Sequence, residues 1–315
     1  MTPWRCQTAI FTFIACQFLC LAQPAGTPDF QLREMDLHYH SGMERPVSMT
    51  EWIRYAVADG RKAIALIDHL ELYRTTPAEY AAWRRKGQFE AMYPLGGAGH
   101  KAVMASFDEA ARHHKGLVIL KAWEVFEGEL DTGLEMDALQ LADFIGWHIS
   151  PNNRGGPPPD GASLIRRARQ LKELRKRLPA PMVLLHPFPM RIEHLQRKAR
   201  AAGRDLSSLS VAEYRFFQPG EQEKLAELLR GESIYIEISR DTEKYWHDPV
   251  VRQALTEDTR PLAELGVQFT VSTDAHGVRD ATRPFQPDAY CKPFGVTPAN
   301  SNALVKELLG ARKRP

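Results

Sequence analysis

The chain has little cysteine once its first 25 residues are set aside. Of its four cysteines, Cys6, Cys16 and Cys20 lie in that segment, and only Cys291 lies beyond it. A single cysteine can form no internal disulfide and cannot build a zinc-thiolate site. We therefore interpret Cys291 as a small, partly buried residue, and cysteine content neither supports nor excludes export.

The sequence also lacks a strong charge of either sign. Its formal net charge is only +2 over 315 residues, so the overall charge does not favour nucleic acid or an acidic surface as a partner. It contains no repeat and no low-complexity tract. With 43% hydrophobic and 25% charged residues, the composition is that of an ordinary globular protein with material for a sizeable core.

An apolar run near the N-terminus is too short for a good transmembrane helix. This run, Ala9–Ala22, follows a weakly positive start at Arg5 and precedes Gln23-Pro24-Ala25-Gly26, which resembles a small-residue cleavage site. These features predict a signal peptide over residues 1–25 and export to the periplasm or the outside of the cell. An uncleaved anchor, a fortuitous apolar start and lipidation at Cys16 are the alternatives.

Short apolar runs alternate with helical patterns along the rest of the chain. Such runs are typical of parallel strands that are buried on both faces. They are residues 35–38, 63–67, 117–120, 144–147, 182–185, 234–238 and 267–271. Because no long polar linker interrupts the alternation, we predict one α/β domain over residues 26–315. Seven strands favour a closed TIM-like barrel somewhat smaller than the usual eight-stranded form.

Capping signals mark several of the predicted helices. Ser48 and Glu51 form a capping box, and Gly60 is suited to end the helix that follows. Pro249 starts a later helix, which Pro261 is expected to break or restart.

Histidines and carboxylates gather where the predicted strands end. The C-terminal ends of the strands in a parallel barrel meet at one rim, and imidazole with carboxylate suits zinc, manganese or iron. His38 and His40, one residue apart on an extended segment, point to the same side and can grip one ion. The candidates are His38, His40, Asp68, His69, Glu124, His148, His186, Asp274 and His276. The remaining histidines, which we interpret as surface residues, are His100, His113, His114, His194 and His247.

These motifs, in this order, resemble those of the PHP (polymerase and histidinol phosphatase) superfamily. They are DLHYHS, LIDH, the stretch at Trp123-Glu124 and STDAH, with GWHIS and LLHPF supplying two histidines in between. The resemblance covers about residues 33–280. It implies a distorted (β/α)7 barrel with up to three metal ions in a cleft at the C-terminal ends of the strands.

The resemblance also implies which residues hold each ion. The first ion would be held by His38, His40, Glu124 and Asp274. The second would share Glu124 and add His148 and His186. The third would take His69 and His276, and usually has another ligand a few residues after the HxHS motif. The sequence departs from the family there and offers only Glu44.

A rival barrel family, the metal-dependent amidohydrolases, also begins with HxH after its first strand. It typically has eight strands and a carboxylated lysine near the fourth. Here the fourth strand ends in His148, the third ends in Glu124 and the second ends in Asp68-His69. Those features favour the PHP superfamily.

We therefore predict a hydrolase that uses two or three divalent ions (zinc, manganese or iron) to cleave phosphate monoesters through a metal-activated hydroxide. Its substrate is expected to be small and anionic. Asp68 is the candidate for assisting the leaving oxygen, and Arg240, then Arg191, for binding the phosphate. The Gly/Pro-rich segment 150–159 is expected to wall the cleft and to carry Arg154 towards the substrate.

Other functions stay open at this point. A phosphodiesterase or exonuclease on nucleic acid would fit the basic helix at 163–178, although a helix on the outside of a barrel faces away from the cleft. An amide or ester hydrolase could use the same metal chemistry. A metal-binding protein could keep the ligands without turnover.

Overall fold

Seven parallel strands form one sheet in chain order, β1 to β7, which curls into a nearly closed, TIM-like barrel flanked by helices. This computed structural model describes residues 28–41, 48–74, 97–126, 136–149, 158–277 and 286–312, together with 76, 78, 81 and 82. The predicted signal peptide, Glu44 and Arg154 lie outside the described residues.

The strands confirm the apolar runs predicted from the sequence. They are β1 (Met35–His40), β2 (Ala63–His69), β3 (Val118–Val125), β4 (Phe144–His148), β5 (Met182–Leu185), β6 (Ile234–Ser239) and β7 (Phe269–Ser272). Nearly every side chain in them is buried, because helices cover one face of the sheet and the barrel interior takes the other. The predicted α/β barrel with seven strands is thus confirmed.

Helices of varied length cover the outside of this barrel. Those in the described residues are α1 (Met49–Ala58), α2 (Gly97–His113), α3 (Met136–Leu139), α4 (Gly161–Arg175), α5 (Pro187–Ala201), α6 (Val211–Tyr214), α7 (Glu221–Leu229), α8 (Pro249–Glu264), α9 (Pro287–Cys291), α10 (Pro298–Ser301) and α11 (Ala303–Arg312). None of them has the length and apolarity needed to cross a bilayer. The capping box of α1 is present, since the Ser48 hydroxyl accepts from the Glu51 N–H and the Glu51 carboxylate accepts from the Ser48 N–H.

Pro261 does not break its helix, contrary to the prediction. α8 runs through it without interruption. Proline has no N–H to donate to the carbonyl four residues earlier, which belongs to Glu257. That carbonyl instead accepts a hydrogen bond of 2.9 Å from the side-chain amide of Gln222, a buried residue on α7. The prediction was wrong because a neighbouring helix replaces the missing donor.

The barrel closes between β1 and the residues that follow β7. The His40 N–H donates to the Ala275 carbonyl at 3.0 Å, and the Ala275 N–H donates to the His38 carbonyl at 3.2 Å. These two bonds bring the residues on either side of Ala275 next to the two histidines of β1. Barrel closure therefore also assembles the rim at which the candidate ligands lie.

Asp36 reinforces this closure with its side chain. Its buried carboxylate accepts from the Thr273 N–H at 2.9 Å and from the Thr273 hydroxyl at 2.7 Å. Asp36→Ala leaves both donors without an acceptor, so we expect the free energy of unfolding to fall by about 2–4 kcal/mol in urea denaturation. Asp288→Ala, at an exposed aspartate, should change it by less than about 0.5 kcal/mol. Equal urea midpoints for the two variants would contradict this role of Asp36.

The end of the barrel opposite the strand C-termini, here called the floor, is covered by α11. Glu307 accepts hydrogen bonds from the Ser233 hydroxyl at 2.7 Å and from the Tyr235 hydroxyl at 2.6 Å, where β6 starts. Arg312 donates to Asp143, just before β4, at 2.8 Å. Both contacts lie at the N-terminal ends of strands, which places α11 across the floor.

The first described residues are attached to the same end of the barrel. The Phe30 N–H donates to the side-chain oxygen of Asn302 at 2.9 Å, and the side-chain amide of Asn302 donates back to the Phe30 carbonyl at 2.7 Å. Asn302 is fully buried between α10 and α11. The segment that leads into β1 is thereby fixed to the floor.

Candidate metal centre

The side chains at the strand ends converge on one cleft with a volume of about 300 Å³. Its described lining residues are His69, Glu124, Phe126, His148, His186, Pro189, Met190, Glu193, Asp241, Asp274 and His276. His38 and His40 are almost fully buried on β1 and contact the lining carboxylates from below.

Four of the predicted ligands lie close together at the ends of their strands. The Nε2 atoms of His38 and His40 are 3.0 Å apart, and Glu124 Oε2 lies 3.1 Å and 3.2 Å from them. Asp274 Oδ1 lies 3.6 Å and 3.3 Å from the same two nitrogens. Four atoms at about 2.1 Å from a tetrahedral zinc ion are separated by about 3.4 Å. The two histidine nitrogens therefore lie near this spacing from each other and from each of the two carboxylate oxygens.

A second set uses the other oxygen of Glu124. Oε1 makes a short contact with His148 Nε2 and lies 3.5 Å from His186 Nε2. Because the two oxygens of this buried carboxylate face different histidines, Glu124 has the geometry of a bridging ligand. The structure thus brings together the first two ligand sets predicted from the sequence, and these groups could hold metal ions.

The third set is assembled only in part among the described residues. His276 Nε2 lies 3.3 Å from Asp274 Oδ1, and its ring stacks on that of His40 at a centroid distance of 3.9 Å. His69 Nε2 is 3.8 Å from Glu124 Oε2, its Nδ1 is 3.1 Å from Glu71 Oε1, and its ring stacks on that of His40 at a centroid distance of 4.8 Å.

The pKa shifts of these groups favour a bound cation at the carboxylates and at His148, whereas nearby carboxylates outweigh burial and raise the pKa of His38 and His186. Burial alone would raise the pKa of Glu124, but the nearby imidazoles of His69 and His148 hold the pKa of that carboxyl well below its usual range. Burial raises the pKa of Asp274 too, but the charge of His38 and the hydrogen bonds from His276 and His40 together hold it well below its usual range. Burial lowers the pKa of His148 to about 4. Anionic carboxylates and neutral imidazoles are the forms that bind metals.

Two candidate ligands have unusual backbone conformations. Among the described non-glycine residues, only His186 (φ +28°) and Asp274 (φ +52°) have positive φ. Such conformations cost about 1–3 kcal/mol each and persist where the surroundings hold them. His186 immediately precedes α5, whose first residue is Pro187, and its N–H donates to Glu237 Oε2 at 2.7 Å.

Two carboxylates behind the ligands were not assigned from the sequence. Glu237 on β6 contacts His38, and Glu71 contacts His69. A signal for Glu237 was present, because a carboxylate within the apolar run IYIEIS is costly to bury unless it is paired. Glu71 offers no comparable signal, since it lies just beyond β2 in a short 3-10 turn.

Asp68 lies behind the cleft wall. It is fully buried, and its carboxylate accepts from the Tyr73 hydroxyl at 2.5 Å and from the His69 N–H at 2.9 Å. It is absent from the described lining of the cleft. These contacts give Asp68 a part in holding the end of β2, and its role beside a leaving group stays a prediction.

The two predicted phosphate-binding arginines also lie away from the described cleft wall. Arg240 is buried, and it is the next residue, Asp241, that lines the cleft. Arg191 is occupied elsewhere, because its three guanidinium nitrogens donate at 2.9–3.0 Å to the backbone carbonyls of Pro159, Glu213 and Tyr214. The end of a strand fixes the position of the backbone of the next residue, but it does not fix where the end of a long side chain lies.

The surface interpretation of the other histidines is wrong for two of them. His100 is 1% exposed, because that face of α2 packs on the rings of Tyr73 and Trp123. His194 is buried on α5. The other three are exposed or half-buried.

Comparison with known proteins does not assign a family. No protein-family model matches the chain. No curated protein matches it either. A crystal structure of an Agrobacterium tumefaciens protein in its apo form is similar, with 12% identity over 86% of this chain and 90% of that chain and a TM-score of 0.38. At that TM-score the similarity carries no argument about fold or activity.

Proposed function

We propose that the chain is a metal-dependent hydrolase of the PHP type that cleaves phosphate monoesters. The observation that carries the proposal is the first ligand set, in which the Nε2 atoms of His38 and His40 lie 3.0–3.6 Å from each other and from one oxygen each of Glu124 and Asp274. The second oxygen of Glu124 extends this arrangement to His148 and His186. Zinc, manganese and iron are the ions that this mixture of imidazole and carboxylate suits.

The charges at the site favour an anionic substrate. Divalent ions bound there would activate a water molecule and offset the charge that develops on the phosphoryl oxygens. The histidines contribute no charge when they act as neutral ligands, so the carboxylates of Glu124 and Asp274 only partly offset two divalent ions. The two ions with these two carboxylates would therefore keep a positive charge, while Glu193 and Asp241 add negative charge to another part of the cleft wall.

The dimensions of the cleft favour a small substrate. A volume of about 300 Å³ lies at the lower end of the range of about 300–1,000 Å³ for small-molecule sites. Phe126, Pro189 and Met190 give one apolar part of the wall, while Glu193 and Asp241 give an acidic part. We propose that the alcohol portion of the ester lies against these side chains.

The basic helix does not strengthen the nucleic-acid alternative. In α4, Lys172 and Arg175 contact Glu232 at 3.0 Å and 3.4 Å, so part of the positive charge is neutralised within the protein. Because α4 lies on the outside of the sheet, a strand of nucleic acid bound to it would not enter the cleft.

Export remains a prediction that depends on residues 1–25.

Hydrolysis of p-nitrophenyl phosphate and of its bis ester by zinc-, manganese- or iron-loaded protein tests the proposal. We expect the monoester to be preferred. We expect His148→Ala to lower the rate of hydrolysis by more than about 100-fold. Loss of a residue that hydrogen-bonds a metal ligand typically costs about 10- to 100-fold in metal affinity or activity, and loss of the ligand itself should cost more. His113→Ala, at an exposed histidine on α2, should leave the rate unchanged.

Activity on neither ester at full metal occupancy would overturn the phosphoesterase proposal. Preference for the bis ester would favour the phosphodiesterase alternative. Failure of the wild-type protein to retain any of the three metals would remove the basis of the proposal altogether.

A further inference from the structure

Glu237 lies at the centre of a buried hydrogen-bond network behind the candidate ligands. It belongs to β6 and is 1% exposed. Its Oε1 accepts from His38 Nδ1 at 2.8 Å and from the Ser272 hydroxyl at 2.6 Å. Its Oε2 accepts from the backbone N–H of His186 at 2.7 Å. One carboxylate therefore contacts β1, β7 and the residue that follows β5.

The first of these bonds determines which nitrogen of His38 faces the ligands. A neutral imidazole carries one proton, and the bond to Glu237 assigns that proton to Nδ1. Nε2 is then a lone-pair donor, and it is the atom that lies 3.0 Å from His40 Nε2 and 3.1 Å from Glu124 Oε2. Glu237 thus holds His38 in the tautomer and orientation that the first ligand set needs.

The bond to His186 acts on the second ligand set through the backbone. His186 has a φ of +28°, which L-residues rarely adopt, and it links β5 to α5. The backbone N–H of this strained residue donates a hydrogen bond to Glu237 Oε2. The position of the carboxylate therefore helps to fix where the imidazole of His186 lies relative to Glu124.

We propose that Glu237 is a positioning residue that couples the two halves of the metal centre, holding His38 of the first set and His186 of the second through its two oxygens. This inference rests on the proposed metal site. Its consequence is that a change at Glu237 weakens both sets together, although Glu237 touches neither ion. A ligand of one set alone has no such effect on geometry in the other.

Glu237→Gln keeps the shape of the side chain but removes its negative charge and one of its two acceptor oxygens. The side-chain amide has an acceptor on one side only, so either His38 Nδ1–H or the His186 N–H must face an NH₂ group. The variant thus loses a hydrogen bond to one set and the negative charge behind the other. Glu307→Gln is the matched control, since Glu307 contacts Ser233 and Tyr235 at the opposite end of the same strand.

The test is a zinc titration of the full chain in competition with a chromophoric chelator, together with the visible absorption spectrum of the cobalt-loaded protein. For Glu237→Gln we expect both zinc-binding steps to weaken by about 10- to 100-fold and the cobalt spectrum to change. For Glu307→Gln we expect a lower urea midpoint with unchanged zinc affinities and an unchanged cobalt spectrum. A purely structural role of Glu237 would make the two variants alike.

Three results would overturn the coupling while leaving the proposed function intact: unchanged zinc affinities in Glu237→Gln, weakening of one step only, or equal behaviour of the two variants. If Glu237→Gln does not fold, Ser272→Ala replaces it, because it removes one donor from Glu237 Oε1. Weakening of both steps then supports the proposal, and no change in either contradicts it. A wild-type protein that binds no zinc, manganese or iron refutes the proposed function itself.

Discussion

Glu124→Ala should abolish binding of both proposed metal ions and reduce phosphate-monoester hydrolysis by at least about 10³-fold. The estimate follows from the several kcal/mol that metal ions contribute to transition-state stabilisation, at 1.36 kcal/mol for each tenfold change in rate. Glu124 is singled out because one of its oxygens contacts His148 and the other contacts His38 and His40.

The measurement is metal content after dialysis, followed by the initial rate at saturating metal. Glu109→Ala on α2 is a matched control, since that glutamate is largely exposed and contacts only His113. Circular dichroism of both variants separates loss of metal from loss of fold. Retention of two ions per chain by Glu124→Ala would show that the bridge is misassigned.

Removal of α11 by ending the chain after Asn302 should prevent folding. Leu304, Val305 and Leu308 are buried in this helix, and burial of side chains of this kind contributes about 1.5–3 kcal/mol each. The sum of about 4–9 kcal/mol is comparable with the whole stability of a typical domain, about 5–15 kcal/mol. The bonds from Glu307 to Ser233 and Tyr235 would be lost as well.

Soluble yield and thermal unfolding of the truncated chain test this expectation. A chain ending after Arg312 is the control, because it retains all of α11 and should unfold at the temperature of the full chain. A truncated protein that stays soluble and melts cooperatively within a few degrees of the control would show that the floor of the barrel is stable without α11.

The strands could be predicted from the sequence because each is buried on both faces. Burial on both faces produces apolar runs that stand out without any knowledge of neighbours, as in Ala63–His69 and Ile234–Ser239. The continuity of α8 could not be predicted, because it depends on Gln222, which lies 35 residues before the carbonyl it reaches. Local sequence rules predict that a proline interrupts its own helix, and they cannot take account of a hydrogen-bond donor that another helix supplies.

The convergence of the candidate ligands could be predicted for a different reason. In a parallel barrel topology fixes the place of the residues at and just after the end of each strand, so His148 and Asp274 need only short side chains to reach the centre. The same rule fails for the long side chain of Arg191, whose guanidinium is held by backbone carbonyls, while phosphate binding by Arg240 stays a prediction. It also cannot pair His38 with Glu237, since those residues are separated by 199 positions and meet only when β1 and β6 lie in one barrel.

The attachment of Phe30 to Asn302 has a practical consequence for orienting the molecule. Phe30 and Arg312 both lie at the floor, on the side of the barrel away from the cleft. A surface or bead coupled beside either residue would therefore hold the protein with its open rim towards the solution. Substrate would reach an immobilised molecule as freely as a dissolved one.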